Sequence, residues 1–313
     1  MNHHFLARTI LAVGVALAMP TWAQQVPSNV APRSASDADG QVRLTRVTPE
    51  YWRVTFHNPP YNIFGPVTIP QLNKIVSEIE TDPRVRVVVF ESDVPDFFLT
   101  HYDFVPPLTD TTGLPRGATG LPPLPDMLVR ISKAPVVSIA MIRGRATGVG
   151  SELSLASDMR FASREKAVLS QWEIGAGLVP GGGPMSRLPR LMGRGRALEV
   201  LLTGNDIDGP TAERYGYVNR ALPDAELDAF VDTMARRIAR FDKQAIADIK
   251  RIVDESSLPS NEQIGAEWDG FIGSVQRAAA QRRVKQLMEL GLQVKPDVEK
   301  RLPVYTGSLG GAD

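Results

Sequence analysis

Two glutamates offer the chemistry in this chain. Glu152 lies in Ile142-Arg-Gly-Arg-Ala-Thr-Gly-Val-Gly-Ser-Glu152-Leu-Ser-Leu-Ala-Ser-Asp158, and Glu173 in Ser170-Gln-Trp-Glu173-Ile-Gly-Ala-Gly-Leu-Val-Pro-Gly-Gly-Gly183. Each follows a strand-like run and stands beside a glycine-rich turn. Of two carboxyls in one site, one can take a proton while the other gives one. A glycine turn that opens a helix also presents backbone N–H groups to an anion. Together these are the parts needed to add or move a proton next to a carbonyl. Plainer roles exist for both residues. A carboxylate in a helix's first turn is favoured by the helix dipole alone. A glutamate at a strand end can pair with an arginine such as Arg187.

The elements that must hold these residues follow from periodicity. Val42 to Val47 and Tyr51 to His57 read as strands joined at Thr48-Pro49. Ile69, Leu72, Ile75, Val76 and Ile79 fall at helical spacing, and Asp82-Pro83 stops that helix. Val85 to Phe90 and Pro135 to Ile142 suit buried strands. A helix begins near Val149, with Glu152 in its first turn, and Met159 to Ala162 is a short strand. Met185 to Met192, Arg196 to Leu202 and a segment from Pro210 read as helices. Leu227 to Ile238, Ile246 to Val253 and Ile264 to Val275 carry amphipathic helical patterns, and Gly291 is a helix stop. Val105 to Pro125, dense in proline, reads as a long loop, either of the kind that closes over sites or a disordered surface insertion.

Composition narrows the options. The chain has 313 residues, 43% of them hydrophobic, enough for one large domain with a small appendage. Lys+Arg and Asp+Glu both number 35, so no net charge favours nucleic acid or an anionic membrane. Cysteine is absent, which excludes disulfides and thiolate chemistry. The histidines are His3, His4, His57 and His101, too dispersed for a metal cluster, so no metal is expected. Arg8, the apolar run Thr9 to Met19, Pro20 and Thr21-Trp-Ala23 read as a secretory signal cleaved after Ala23. The expected plan is a signal peptide over 1–23, a flexible linker over 24–40, an α/β core over 41–222, a helical region over 223–291 and a tail over 292–313.

From about Val42 to Gly291 the chain resembles the enoyl-CoA hydratase/isomerase (crotonase) superfamily. Asn58-Pro-Pro-Tyr-Asn62 is similar to that family's first-strand exit. Arg143-Gly-Arg-Ala-Thr-Gly-Val-Gly-Ser-Glu152 is similar to its oxyanion-loop and helix motif. Leu178-Val-Pro-Gly-Gly-Gly-Pro-Met-Ser-Arg-Leu-Pro-Arg-Leu-Met-Gly193 is similar to its signature after the second glutamate. The resemblance implies an α/β fold, a crotonase-like spiral of β-β-α units with a helical C-terminal region that packs trimers. It implies Glu152 and Glu173 as the catalytic pair and the backbone N–H groups of Tyr102 and Val149 as the oxyanion hole. Leu99, His101, Tyr102, Asp103 and Gly148 are the implied substrate-binding residues.

Three departures stand out against that pattern. Phe97-Phe98-Leu99-Thr100-His101-Tyr102-Asp103 replaces the family's Phe-Ser-x-Gly-x-Asp, so His101 stands in the glycine position. Val149 takes the centre of a Gly-Gly-Gly, and Trp172 stands where the family has proline before its second glutamate. His101, whose side chain titrates near neutrality when unperturbed, is either a working group or a packing group at the rim. Tyr102 is either an oxyanion lip or a pocket wall. Trp52 and Trp268 read as core, and Arg143, Arg145, Arg187, Arg190, Arg194 and Arg196 as solvated helix faces or an anion cradle.

The expected function is an enoyl-CoA hydratase/isomerase-like enzyme using two glutamates on an acyl thioester or related carbonyl substrate. The alternatives are an exported ligand-binding protein of this fold without turnover, or a hydrolase of a non-CoA substrate. No cofactor is expected, coenzyme A entering only as part of a substrate. The expected partners are a small acyl substrate and copies of the chain in a homotrimer or hexamer. No nucleic acid is expected, nor any membrane after signal cleavage. The leader places the mature protein in the periplasm or outside the cell.

Overall fold

Strands gathered around the valine run Val87–Val89, which is buried on both faces, organise the chain between Gly40 and Gly310, the residues that the computed structural model describes. The expected signal peptide and the linker up to residue 39 lie outside the described residues. β1 (Val42–Arg46) and β2 (Tyr51–Phe56) form an antiparallel opening pair. Strands then go alternately to two sheets. β3 (Val87–Ser92) joins β2 in parallel, whereas β4 (Phe97–Leu99) starts a second sheet. β5 (Val137–Ile142) returns to the first sheet and β6 (Arg145–Thr147) to the second; β7 (Met159–Ser163) and β8 (Val168–Ser170) repeat the step. With β9 (Ile207–Asp208) and β10 (Arg220–Leu222), the orders are β1-β2-β3-β5-β7-β10 and β4-β6-β8-β9. A spiral of β-β-α turns produces this alternation, because each turn adds one strand to each sheet.

Residue alternation divides the first sheet's two faces. Trp52, Val54, Val88, Phe90, Ala140 and Ile142 pack with Ile69, Leu72, Ile75, Val76 and Ile79 of α1 (Thr68–Thr81). The opposite face holds Tyr51, Val87, Val89, Ile139 and Phe161. The expected loop from Val105 to Pro125 instead contains α2 (Thr109–Thr112) and the start of α3 (Pro123–Lys133). Proline is well placed at Pro123, since a helix's first residue has no intrahelical use for an N–H.

Next come α4 (Val149–Ala156), α5 (Pro184–Thr203) and α6 (Gly209–Tyr215). α5 breaks at Gly193, where φ is 78°, which is why its sequence reads as two helices. α7 (Asp224–Ile238) covers the sheet's second face with Leu227, Val231 and Ala235. α8 (Lys243–Ser257), α9 (Asn261–Val275) and α10 (Ala278–Leu290) follow.

The segment expected as a tail carries two helices. α11 (Pro296–Lys300) and α12 (Leu302–Ser308) bury Leu292, Val298 and Leu302 in a cluster with Phe104, Trp172 and Leu287. Helices of five and seven residues are too short to show a periodic stripe, so the sequence gives no helical signal there.

Candidate active site

Glu152 and Glu173 reach the same cavity from different turns of the spiral. Glu152 sits in the first turn of α4, directly after β6; Glu173 opens a 3₁₀ turn (Glu173–Ala176) after β8. The parallel pairing of β6 with β8 sets the two exits side by side. Two glycines allow the close packing around Glu152. A Cβ on Gly150 would lie 1.7 Å from the Leu99 carbonyl oxygen, so no side chain fits where α4 passes β4. A Cβ on Gly182 would lie 2.3 Å from Glu152 Oε2.

The carboxyls differ in their support. The Gly182 N–H donates to Glu152 Oε1 at 2.7 Å, which favours the ionised form. Burial still pushes Glu152 up to about 7, with the charge of Glu267 adding to the rise. Burial raises Glu173 well above the usual carboxyl range, and the neighbouring charge of Glu152 raises it further. Behind Glu173 runs a buried polar chain. The Gln171 amide satisfies both neighbours when its nitrogen faces Glu173 Oε2 at 3.1 Å and its oxygen accepts from Ser151 Oγ at 2.8 Å. Ser151 Oγ in turn lies 2.5 Å from the Tyr217 hydroxyl. Among the described residues no ion pair joins Glu173 to Arg187, so the plainer alternative for Glu173 does not form. Arg187 is buried instead near Glu152 and Glu267, whose carboxyls feel its charge.

The cavity is tight and mostly apolar. About 40 Å³ of it is open to the centres of water molecules, room for a few waters. Its lining includes His101, Tyr102 and Val149 with both glutamates. The amides of Thr100, Asp103 and Phe104 donate to Asn62 O, Phe64 O and Gln293 Oε1. Among the described residues, neither the Tyr102 nor the Val149 N–H donates such a bond. The Tyr102 side chain is a wall: burial raises its phenol to about 12, and its hydroxyl lies 2.6 Å from Thr111 Oγ1 of α2.

Three residues expected to bind substrate are placed differently. Leu99 is buried in the core, with its carbonyl against Gly150. Asp103 turns to the C-terminal segment, accepting from Gln293 Nε2 at 2.6 Å. Gly148 borders the site from behind: a Cβ there would lie 3.0 Å from Glu173 Oε1 and 3.2 Å from Trp172 Nε1.

His101 is not at a rim. It is 1% exposed, its Nδ1 lies 2.8 Å from Tyr102 O, and its Nε2 lies 3.0 Å from Glu299 Oε2. Its ring stands edge-on to Trp172. Sequence reasoning missed Phe104, Trp172, Phe271 and Trp268 as cavity walls. Trp268 and Phe271 share one helical stripe, which is equally the signature of core packing, so nothing in the spacing separates the two roles. Glu299 carries no local signal.

A model of the family described as enoyl-CoA hydratase/isomerase matches residues 51–295. The bovine "Enoyl-CoA hydratase domain-containing protein 2, mitochondrial" is 33% identical over 57% of this chain and 60% of its own length, less than two thirds of that relative. An Arabidopsis thaliana protein named "Probable enoyl-CoA hydratase 2, mitochondrial" is 31% identical over 79% of this chain and 81% of its own. Among solved structures, a "putative enoyl-CoA hydratase" from Streptomyces avermitilis superposes with a TM-score of 0.82 at 38% identity, covering 88% of this chain and 100% of that one.

Proposed function

The chain belongs to the enoyl-CoA hydratase/isomerase family, and from that membership we propose that it adds water to, or moves the double bond of, an α,β-unsaturated acyl thioester. The carrying observation is the shared cavity of Glu152 and Glu173, two buried carboxyls of which the first, once charged, raises the cost of ionising the second. Their unequal support suggests the division of labour. Glu152, held by the Gly182 amide, is the first to ionise and takes the proton of the attacking water. Glu173 keeps its proton and gives it to the α-carbon while the water oxygen bonds to the β-carbon. The Tyr102 and Val149 amides, which donate no hydrogen bond among the described residues, are the donors for the enolate oxygen.

Crotonyl-CoA is the first substrate to test, followed by loss of the conjugated thioester's absorbance. Turnover that disappears in Glu152→Gln supports the proposal. No turnover of any enoyl-CoA by folded wild type would sink it. The tight cavity and the bulky His101 and Val149 favour a second reading, a small acyl substrate not carried on coenzyme A. Turnover of a short enoyl thioester of N-acetylcysteamine, with none of the coenzyme A form, would select it.

Assembly and location belong to the same proposal. α8 leaves Ile249, Ile252 and Val253 more than half exposed, an apolar face suited to another copy of the chain in a trimer or hexamer. Light scattering at micromolar concentration giving a monomer mass would refute this. The Thr9–Met19 run followed by Thr21-Trp-Ala23 supports export, with a mature start at Gln24. N-terminal sequencing of native protein decides it, and retention of Met1 would overturn it.

A further inference from the structure

The turn between β4 and the cavity is held from the far end of the chain. Glu299 lies 198 positions after His101, yet its carboxylate meets His101 Nε2 at 3.0 and 3.3 Å. Both side chains are buried. The protonation state follows from the partners. Tyr102 O can only accept, so His101 Nδ1 carries a hydrogen. Glu299 Oε1 accepts from the Gln293 N–H at 2.6 Å, which favours the ionised carboxylate over the acid, and a carboxylate facing Nε2 can only accept, so Nε2 carries a hydrogen as well. The ring is a cation. The directions of titration agree: Glu299 raises His101 against the opposing effect of burial, and His101 lowers Glu299 against the same effect.

Gln293 extends the grip. Its Oε1 accepts from the Phe104 N–H at 2.7 Å, and its Nε2 donates to Asp103 Oδ1 at 2.6 Å. Phe64 secures the other edge. Its N–H donates to His101 O at 3.0 Å, and its carbonyl accepts from the Asp103 N–H at 2.7 Å. Both peptides flanking Tyr102 are therefore fixed, and among the described residues the Tyr102 N–H has no acceptor.

We propose that Glu299 is a positioning residue for the reaction: it holds His101 as a cation against the Tyr102 peptide and, with Gln293, fixes the turn that presents the Tyr102 amide to the substrate's acyl oxygen. This rests on the oxyanion reading given above. Glycine at position 101 would leave the turn free to relax. Histidine there is braced by a carboxylate from the C-terminal segment. A preorganised amide needs no rearrangement as charge develops, and a fixed cation one residue away adds to the favourable potential.

The test uses full-length protein and crotonyl-CoA. Glu299→Gln should lower kcat roughly 10-fold, part of the 10²–10³-fold that a lost oxyanion donor costs, with KM within about threefold. Its rate should also fail at lower pH than the wild type's as His101 loses its proton. His101→Leu with Glu299→Met removes both charges and should restore folding stability, since a buried ion pair can be replaced by packed apolar groups. It should not restore kcat. Recovery of both stability and kcat would reduce the pair to a structural one and overturn the proposal.

If folded wild type turns over no enoyl thioester, the reaction proposed above fails, and the positioning role is judged by nitrogen-15 NMR instead. His101 should be cationic near neutral pH in the wild type and neutral in Glu299→Gln, with the Tyr102 amide resonance displaced. A His101 titration unchanged by Glu299→Gln, or an unmoved Tyr102 amide, would overturn it whatever the activity.

Discussion

Glu152 Oε1 accepts the Gly182 N–H at 2.7 Å, so the carboxyl of α4 and the glycine turn before α5 fix each other. Gly182 has no room for a side chain, and Glu152 has a donor that favours its anion without removing the effect of burial. The first prediction follows from this contact. Glu152→Gln keeps the acceptor oxygen and loses the base, so kcat should fall by roughly 10²-fold or more while the fold persists. Glu173→Gln should do likewise by removing the acid. Steady-state kinetics on both variants, with circular dichroism as the control, checks the pair.

The same residue should cost stability at high pH. Glu152's folded value of about 7 lies above the ordinary 4.5, so between these the folded state binds more protons than the unfolded state. Stability then falls as pH rises through that window. Glu152→Gln should be more stable than wild type at pH 8, by up to about 3 kcal/mol, and should gain nothing below the unfolded value. Urea denaturation at pH 8 and at pH 4 tests the sign.

Activity should rise where stability falls. A base that ionises at about 7 gives the pH–rate profile an acid limb near that value, well above that of an ordinary carboxylate. The alkaline limb should mark loss of the proton that the pair retains. In Glu173→Gln the acid limb of the residual rate should stay near the wild-type value, because it belongs to Glu152 and a protonated Glu173 sets no charge against it. An acid limb at the ordinary carboxyl value in the wild type would contradict the geometry of a buried pair.

Gly150→Ala should be among the most damaging one-methyl changes in the chain. Its Cβ would overlap the Leu99 carbonyl, a backbone atom that cannot rotate away. Separation of α4 from β4 should cost about 3 kcal/mol, the upper range for overpacking. It should also displace Val149 and Glu152 from the turn around Tyr102. The urea midpoint measures the first effect and kcat the second.

A stop after Gly291 should not behave as removal of a tail. It deletes Leu292, Val298 and Leu302, all 1% exposed or less, from the cluster that packs Phe104 and Trp172. At about 1.5–3 kcal/mol for each buried side chain, the loss should be roughly 5 kcal/mol. The truncated chain should show a lower midpoint and more exposed tryptophan emission than the full chain.

Legibility followed the length of each signal. β3 and β5 are readable because their residues are mostly apolar and β-branched over a short run, and α1 because five apolar residues repeat at helical spacing. β4, β6 and β8 have three residues each, too few for a pattern, although they form most of the sheet that delivers the glutamates. Glu152 and Glu173 are readable from the glycines around them, since the turn and the close approach both demand glycine. Leu99 and Asp103 are not legible as lying outside the cavity, because neighbours in a short turn point in opposite directions, one to the core and one to the C-terminal segment. His101 was expected at the rim because its partner could not be inferred. The carboxylate that lets it stay buried and charged belongs to a five-residue helix at the other end of the sequence.

The His101–Glu299 contact also constrains the order in which such a site can arise by mutation. A histidine arriving first, opposite an uncharged residue, can shed its proton near neutrality and still donate from Nδ1 to the Tyr102 carbonyl. A carboxylate arriving first would face a glycine, buried and without its cation, at a greater cost. The passable route therefore runs through histidine, with glutamate following as a compensating change. Once both are present, neither reverts alone without penalty. Among descendants of such an ancestor, positions 101 and 299 should change together, and a lineage that regains glycine at 101 should soon lose the acid at 299.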